Sequence, residues 1–227
     1  MLGGILITFV YLYGPDGVGK TTHALLLIDK LRLEGYRVKR VGVRSNHYPF
    51  RAFWNSLKLV AGETYKYPDG YLTRIPRISV LRACSTLIIC GQLFSISIFV
   101  LATFILSKLG YVIVAERYVL DTYTDFIYFV TKFTGKRIPR IVQMILLKLL
   151  PKDLIFIFLD ADYSTLVKRY IRRNSVFEPE DYIQLQRRIG LIFTQRLFGF
   201  RIFTPLNSVR NTQNEVLKLV FSESHWH

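Results

Sequence analysis

Short apolar runs alternate along the chain with longer segments in which apolar residues recur at helical spacing. The short runs are rich in β-branched and aromatic residues and predict strands at residues 5–12, 38–43, 111–115, 154–159 and 201–204. The longer segments predict helices at residues 22–33, 50–60, 87–106, 119–133, 138–150, 163–173, 180–197 and 213–221. The polar segment 62–75, which contains Pro68-Asp69-Gly70, predicts a surface loop. This alternation predicts an α/β fold of three layers, with helices on both faces of a parallel sheet.

The segment between the first strand and the first helix fits the pattern G-x-x-x-x-G-K-[ST], as Gly14-Pro15-Asp16-Gly17-Val18-Gly19-Lys20-Thr21. Glycines let such a loop turn several backbone N–H groups toward one anion, and the following helix N-terminus adds partial positive charge. In this pattern Lys20 reaches the β- and γ-phosphates, and the Thr21 hydroxyl holds Mg²⁺. We therefore predict an ATP site formed by this loop and Thr22. An ordinary glycine turn is the alternative, which Lys20 and Thr21 in the required places disfavour.

A second motif, Glu116-Arg117-Tyr118, follows the predicted strand 111–115. Acidic residues at the carboxyl end of a buried parallel strand commonly organise the magnesium of phosphate-loop enzymes. We therefore predict that Glu116 acts on the metal, either directly or through a water molecule. A structural salt bridge at the end of the strand is the alternative interpretation.

Residues 87–106 form an uncharged stretch of twenty residues, which matches the length of a membrane span. The alternative is a long helix that is buried on most sides, in the core or at a subunit interface. A single span would place the two motifs on opposite sides of a membrane, although both are predicted to serve one nucleotide. Four polar side chains also dilute the apolar run: Gln92, Ser95, Ser97 and Thr103. We therefore expect a buried helix and no membrane partner.

Basic residues outnumber acidic ones, with 31 Lys and Arg against 16 Asp and Glu and a formal net charge of +15. Such an excess indicates polyanionic ligands, namely nucleotides, nucleic acid or anionic lipid. The sequence has no block of five or more like charges, and the spread of the charge favours a phosphate-filled cleft over a nucleic-acid groove. We therefore expect nucleotides rather than nucleic acid as ligands.

A basic cluster lies at the end of the predicted helix 163–173 and comprises Lys168, Arg169, Arg172 and Arg173. A polar break at residues 174–179 follows it. A solvated helix face is one interpretation of this cluster. The other is a mobile lid at about residues 168–180, whose arginines close over the phosphates and exclude water. The position of the arginines beside the break favours the lid.

The length of 227 residues, without a linker or an internal repeat, predicts one domain that spans residues 1–227. The N-terminal segment has no charged leader and no small-residue cleavage site, so it does not have the features of a signal peptide. We therefore expect a cytoplasmic protein.

With these motifs in place, residues 5–221 resemble the thymidylate kinase family of nucleoside monophosphate kinases. The loop with aspartate in its third position, Gly14-Pro15-Asp16, is similar to the family's form. Glu116-Arg117-Tyr118 resembles its D-R-Y/H motif, with Glu in place of Asp, and Phe177-Glu178 resembles the segment after its lid. The resemblance implies a P-loop NTPase fold with a five-stranded parallel sheet flanked by helices. It also implies transfer of the ATP γ-phosphate to a nucleoside monophosphate, most simply dTMP, with Mg²⁺, and a homodimer packed through the helix at 87–106.

The resemblance further implies roles for individual residues. Arg44 and Arg117 would hold the acceptor phosphate, and Tyr118 would lie beside it. Asp16 would accept a hydrogen bond from the 3′-hydroxyl of the acceptor. Lys20, together with Arg172 or Arg173, would stabilise charge on the transferring phosphoryl group.

Two departures from the family pattern concern the base of the acceptor. Where the family has an arginine about twenty residues before the D-R-Y position, this chain has Gln92-Leu93-Phe94-Ser95, and Arg77 or Arg82 is the candidate replacement. Where the family has Ser-Ser-x-x-Tyr-Gln, this chain has Asp121-Thr122-Tyr123-Thr124-Asp125-Phe126. Phosphoryl transfer is therefore better supported than thymine recognition.

Three alternative functions remain open at this point. One is a kinase with the same fold that acts on another nucleotide or on a nucleoside. Another is a nucleotide-dependent protein that is not a kinase and binds nucleic acid through its positive surface. A third is a membrane-associated ATPase that uses residues 87–106.

Overall fold

A central sheet of five parallel strands organises the protein in the computed structural model, which describes residues 7–42, 50–66, 72–135, 137–173, 178–204 and 208–223. The described residues form seven strands: β1 Phe9–Tyr13, β2 Val38–Gly42, β3 Gly62–Lys66, β4 Leu72–Pro76, β5 Val112–Arg117, β6 Leu154–Asp160 and β7 Phe200–Phe203. They also form nine helices: α1 Lys20–Leu33, α2 Phe50–Ala61, α3 Ile78–Ala83, α4 Ser85–Lys108, α5 Val119–Thr134, α6 Arg140–Lys148, α7 Tyr163–Arg173, α8 Glu180–Arg196 and α9 Val209–Glu223.

The order of strands in the sheet is β2-β5-β1-β6-β7, and every neighbouring pair is parallel. β1 lies in the middle and is buried at all five of its positions, as expected for a strand covered on both faces. Parallel strands bring their carboxyl ends to one edge of the sheet. The segments that follow β1, β5 and β6 therefore meet at that edge, where ligands bind in open α/β sheets.

Two apolar clusters cover the two faces of the sheet. One packs α1 and α9 against the sheet and includes Leu27, Val114 and Val216. The other includes Ile113 of β5 and Phe193 of α8 and takes further members from α4, α5, α6 and the strands β1, β2 and β6. The predicted three-layer α/β fold with a five-stranded parallel sheet is therefore confirmed.

The prediction of a surface loop at residues 62–75 is wrong, because β3 and β4 pair there as an antiparallel hairpin. In its register Glu63 lies opposite Ile75 and Thr64 lies opposite Arg74. Ile75 is buried in a small cluster with Leu81 of α3. The Pro68-Asp69-Gly70 segment suggested a loop, but the same turn-forming residues are also typical of hairpins.

The helix predicted at 87–106 is confirmed as α4, and its burial within a single chain is partial. Its most apolar 18-residue window has a mean hydropathy of 2.3 and is only 22% buried. By length and composition this described helix is able to cross a membrane, a test that core helices of soluble proteins also pass.

α4 turns polar and apolar residues toward the rest of the protein, among them the fully buried Ser95 and Ile96, while other large apolar side chains face outward. Ser95 Oγ accepts a hydrogen bond from the Phe50 backbone N–H at 2.9 Å, and the hydroxyls of Thr103 and Tyr118 are 2.7 Å apart. The outward side chains include Leu87, Phe94, Ile98, Leu101, Phe104 and Ile105, each at least 44% exposed. These inward hydrogen bonds fix the rotation of the helix about its axis. A continuous apolar surface, which we call the outer face of α4, therefore remains open to a partner.

Candidate nucleotide site

The loop between β1 and α1 has the backbone conformation that its glycines predict. Gly14, Gly17 and Gly19 have φ values of 152°, 83° and 104°, a region that residues with a Cβ rarely adopt. A Cβ on Gly14 would lie 2.1 Å from the carbonyl oxygen of Leu159 at the end of β6. Glycine is therefore required at position 14 both by its conformation and by the neighbouring strand.

Lys20 lies within the curve of this loop, as predicted. Its side chain is 5% exposed, and its Nζ donates hydrogen bonds to the carbonyl oxygens of Gly14 at 2.5 Å and Pro15 at 2.9 Å. The same Nζ is 3.1 Å from Oδ1 of Asp16. The ammonium group is therefore buried with three oxygen partners. It is positioned to exchange some of them for the oxygens of a phosphate.

Asp16 joins the two motifs that the sequence analysis identified. Arg117, the last residue of β5, donates a hydrogen bond from Nη2 to Oδ1 of Asp16 at 2.6 Å. The Tyr170 hydroxyl of α7 donates to the Asp16 backbone carbonyl at 3.0 Å. Arg117 and the phosphate loop are thus in direct contact, although about a hundred positions separate them in the sequence.

Glu116 forms a structural salt bridge, the alternative to a role at the metal. Only one of its two carboxylate oxygens takes part. Arg40 of β2 donates hydrogen bonds from Nε, at 2.6 Å, and from Nη2 to Oε1. Oε2 is buried and has no hydrogen-bond partner among the described residues. The geometry therefore accommodates both interpretations, because a structural salt bridge leaves one carboxylate oxygen available.

Tyr118 packs in the protein core. Its side chain is fully buried, and burial raises the pKa of its hydroxyl to about 12. The ring packs against Phe9 and Phe99 at centroid distances of 5.0 and 5.7 Å. This side chain has no access to a ligand, so we do not assign it to the acceptor site.

Asp121 is a buried acid that the sequence analysis noted only as a departure from the family pattern. Its Oδ2 accepts hydrogen bonds from the Tyr11 hydroxyl at 2.5 Å and from the Tyr118 backbone N–H at 3.1 Å. Burial raises its pKa from the ordinary 3.8 to about 6, an effect that the charges of Lys20 and Arg117 partly oppose. The sequence could have indicated the hydrogen bond to the Tyr118 backbone, because an acid at the third position of a helix commonly caps its start.

A cavity of about 210 Å³ lies between the phosphate loop, α7 and the start of α9. Arg172 and Arg173 line it, as does the loop segment 17–19. His23 of α1 lines it as well and is held by a 2.9 Å hydrogen bond between its Nδ1 and Oε1 of Gln213. Burial lowers the pKa of His23, which favours a neutral imidazole at this wall of the cavity.

Arg169, a member of the basic cluster in the predicted lid, contacts the backbone of the phosphate loop. Its Nη1 donates to the carbonyl oxygens of Val18 at 3.0 Å and Gly17 at 3.3 Å, and its Nη2 donates to the carbonyl oxygen of Thr204 at 3.2 Å. Arg169 thus joins α7 to the phosphate loop and to the residue after β7. Arg169 lies three and four positions before Arg172 and Arg173, which places all three on one face of the helix. This spacing could have indicated from the sequence that Arg169 lies at the same site.

Several predicted residues lie outside the described residues or away from the site. Arg44 lies outside them, as do residues 174–177 of the predicted lid, including Phe177. Of the rest of that segment, residues 168–173 belong to α7, and Glu180 begins α8. Arg77 and Arg82, the candidate replacements for the family arginine, are exposed. Neither forms an ion pair within the part of the chain that the structure describes.

The residues near the loop fit a magnesium ion that is bound mainly through a nucleotide. In the described ranges no group of three or more His, Cys, Asp or Glu side chains is placed to hold a metal. Magnesium in kinases typically takes one or two protein ligands and completes its shell with phosphate oxygens and water. Thr21 is exposed at the start of α1, and Glu116 has a free buried oxygen. These two residues match that requirement.

No protein-family model matches the sequence, and no curated protein matches it. Solved structures do match the fold. Thymidylate kinase from Candida albicans is similar with a TM-score of 0.62 and 14% identity, over 96% of this chain and 92% of that chain. The YorR protein from Bacillus subtilis, solved in complex with phosphorylated GDP, is similar with a TM-score of 0.55 and 16% identity, over 96% of this chain and 99% of that chain. The protein therefore shares the α/β fold of these two proteins.

Proposed function

We propose that the protein is a nucleotide kinase that transfers the γ-phosphate of ATP to a nucleoside monophosphate, with dTMP as the first candidate. The hydrogen bond between Arg117 and Asp16 carries this proposal, because it joins the β5 motif to the phosphate loop. A cation and a carboxylate thus meet beside the loop, where an acceptor phosphate and its sugar have to be held. The fold of a thymidylate kinase, shared at low identity, supports the same function.

The donor side of the site is formed by the loop and the neighbouring cavity. ATP would bind with its phosphates on the loop and its nucleoside in the cavity lined by His23, Arg172 and Arg173. Lys20 would exchange Asp16 for phosphate oxygens, and Arg172 or Arg173 would stabilise charge on the transferring group. Phosphoryl transfer depends mainly on such positioning and charge neutralisation.

The acceptor side is formed by Arg117 and Asp16. Arg117 would hold the acceptor phosphate, with Arg44 as a second cation. Asp16 would accept the hydrogen bond of the acceptor sugar. In both roles the residue has to bind the ligand while Arg117 and Asp16 stay close to each other. Arg117 is partly exposed, so its guanidinium can reach a ligand.

Thr21 and Glu116 would hold the magnesium ion together with the nucleotide. The bound ion would neutralise charge on the β- and γ-phosphates. The contribution of the chain is to fix one hydroxyl and one buried carboxylate oxygen. The positions of these two groups, rather than a dedicated metal cage, would therefore determine metal binding.

We also propose that two copies pair through the outer face of α4. A single chain leaves large apolar side chains such as Phe94 and Leu101 more than half exposed there. Exposed apolar patches of this kind mark interaction sites in soluble proteins. The apolar driving force of this contact would have to exceed the repulsion between two positively charged chains.

A kinase of another nucleotide is the second candidate, and the missing family arginine favours it. Gln92 and Ser95, which stand in its place, are buried and uncharged. The similar Candida albicans enzyme has broad substrate specificity, and the similar Bacillus subtilis protein was solved with phosphorylated GDP. The acceptor test therefore has to extend beyond thymidylate.

The test is ADP formation from Mg-ATP by the purified protein against a panel of nucleoside monophosphates, led by dTMP and dUMP. We expect acceptor-dependent ADP formation that Lys20→Ala lowers on the order of a thousandfold while the fold is retained. Preference for a different monophosphate would favour the second candidate. ATP binding without any phosphorylated acceptor would contradict the kinase proposal. Near-full activity of folded Lys20→Ala would contradict the assignment of the loop.

A further inference from the structure

Arg40 and Glu116 lie on one face of two neighbouring parallel strands. β2 pairs with β5 so that Arg40 is opposite Val114, two positions before Glu116. The guanidinium donates two hydrogen bonds to a single carboxylate oxygen, Oε1. Arg40 is partly exposed, whereas Glu116 is almost fully buried. The contact therefore fixes the orientation of a buried carboxylate from the edge of the sheet.

Gly42 provides the space that this carboxylate occupies. A Cβ on Gly42 would lie 2.9 Å from Oε1 and 3.2 Å from Cγ of Glu116. Gly42 is not among the glycines with positive φ, so its backbone does not itself require glycine. The need for glycine at this position therefore comes from the Glu116 side chain that packs against it.

The second oxygen of the same carboxylate has no partner. Oε2 of Glu116 is buried without a hydrogen bond to any described residue. A buried polar atom that lacks a partner carries an energetic cost, and in native proteins it often marks the place of a water, an ion or a ligand. One oxygen is thus fixed while the other is left available on the same rigid group.

We propose that Arg40 and Gly42 form a seat for the Glu116 carboxylate, which fixes Oε1 and leaves Oε2 for the magnesium ion of a bound nucleotide or for its water shell. Arg40 is in this view a positioning residue that acts through Glu116. Gly42 leaves the space that the Glu116 side chain occupies. The magnesium part rests on the proposed kinase function, whereas the packing part does not.

The packing part is tested by the stability of the nucleotide-free protein. Gly42→Ala is expected to lower the denaturation midpoint in the wild-type background, because the added Cβ meets Glu116. In the Glu116→Ala background the same change is expected to cost little, because the Cγ and the carboxylate that the added Cβ meets are absent. An equal decrease of the denaturation midpoint in both backgrounds would contradict the packing of Glu116 against Gly42.

The magnesium part is tested by ATP-dependent thermal stabilisation at increasing Mg²⁺ concentration. Partners that orient a metal-binding carboxylate typically change metal affinity 10- to 100-fold when they are removed. We expect Arg40→Ala to raise the Mg²⁺ concentration for half-maximal stabilisation about tenfold. Arg40→Lys should recover part of this loss, because it keeps the charge but not the planar fork. Lys39→Ala, the exposed neighbour on the same strand, is the control and should match the wild type.

An unchanged Mg²⁺ midpoint in folded Arg40→Ala would overturn the positioning role. A wild-type protein that shows no ATP-dependent stabilisation at any Mg²⁺ concentration would overturn the proposed function, and the magnesium part with it. The Gly42→Ala comparison would still decide the packing part, because it uses neither nucleotide nor metal.

Discussion

Nη2 of Arg117 lies 2.6 Å from Oδ1 of Asp16, and this contact joins the end of β5 to the phosphate loop. Lys20 shares the same oxygen of Asp16 at 3.1 Å. One carboxylate therefore neutralises two cations that the proposed function assigns to different substrates. Lys20 would bind the donor phosphates, and Arg117 would bind the acceptor phosphate. Removal of one of these two cations should consequently weaken the binding of one substrate more than the binding of the other.

Arg117→Ala should impair the acceptor side selectively. We expect kcat/KM for the acceptor to fall on the order of a hundredfold or more, because a positioned charge on a phosphoryl group is lost. The dissociation constant for ATP should change much less, since Lys20 and the loop remain. Steady-state kinetics at saturating ATP and calorimetry with ATP alone measure the two effects. Arg137→Ala, which removes an exposed arginine, is the control, and an equal loss of ATP affinity in Arg117→Ala would contradict the assignment.

Arg169→Ala should weaken ATP binding, because it releases the backbone of the phosphate loop. Arg169 holds the carbonyl groups of Gly17 and Val18 in the loop. Hydrogen bonds to a charged donor contribute about 1.5–3 kcal/mol, so we expect the ATP dissociation constant to rise at least about tenfold. Lys168→Ala is the matched control, because it removes an exposed cation one position earlier in α7. Equal effects of the two variants would mean that general positive charge, and not the contact with the loop, determines binding.

The sequence predicted the strands and the loop because both depend on local signals. The apolar run of β1 and the glycines at 14, 17 and 19 define their own conformations. The partners of the charged groups depend on strand register and helix rotation, which no local pattern encodes. The pairing of Arg40 with Glu116 could not be derived before the order β2-β5-β1 was known. The contacts of Arg169 likewise depend on where α7 passes the loop.

The partial burial of α4 has a similar physical origin. The sequence left a core position and a subunit interface open for this uncharged helix; in the structure Ser95, Ile96 and Thr103 face the protein, and large apolar side chains remain on the other side. Apolar residues cover almost the whole circumference of the helix, so a few polar contacts decide its rotation. Those contacts join α4 to Phe50 and Tyr118, residues that the sequence gives no means of placing beside it.

The unfolding free energy should depend on pH through Asp121. Its pKa is about 6 in the folded protein against an ordinary 3.8, so the folded state binds the proton more tightly. This group therefore makes the protein less stable as pH rises from about 4 to about 6, and the full cost of about two pKa units, on the order of 3 kcal/mol, is present above that range.

Asp121→Asn should remove this dependence, because an amide does not titrate in this range. Its amide oxygen can still accept hydrogen bonds from the Tyr11 hydroxyl and the Tyr118 backbone N–H. The variant should gain stability relative to the wild type as pH increases from 4 to 6, with a constant difference at higher pH. Urea unfolding of both proteins across this range measures the difference, and Asp29→Asn, on the exposed side of α1, is the control. A difference that does not change with pH would contradict the raised pKa.

The outer face of α4 should hold two copies of the chain together. We expect Leu101→Glu to convert a dimer to a monomer, because it places a buried, unpaired charge at the centre of an apolar contact. Leu33→Glu is the control, since Leu33 is 83% exposed on α1 and lies outside this face. Analytical ultracentrifugation of the two variants and the wild type measures the change.

The net charge of +15 adds a second expectation about the same contact. Two chains of like charge repel each other, and salt screens that repulsion over about 10 Å at 0.1 M ionic strength. Dimer affinity should therefore rise with salt, whereas binding of the basic chain to anionic lipid vesicles should weaken. A wild-type protein that is monomeric at every salt concentration would contradict the dimer. Sedimentation with vesicles that Leu101→Glu abolishes and Leu33→Glu does not would instead identify the outer face of α4 as a membrane contact.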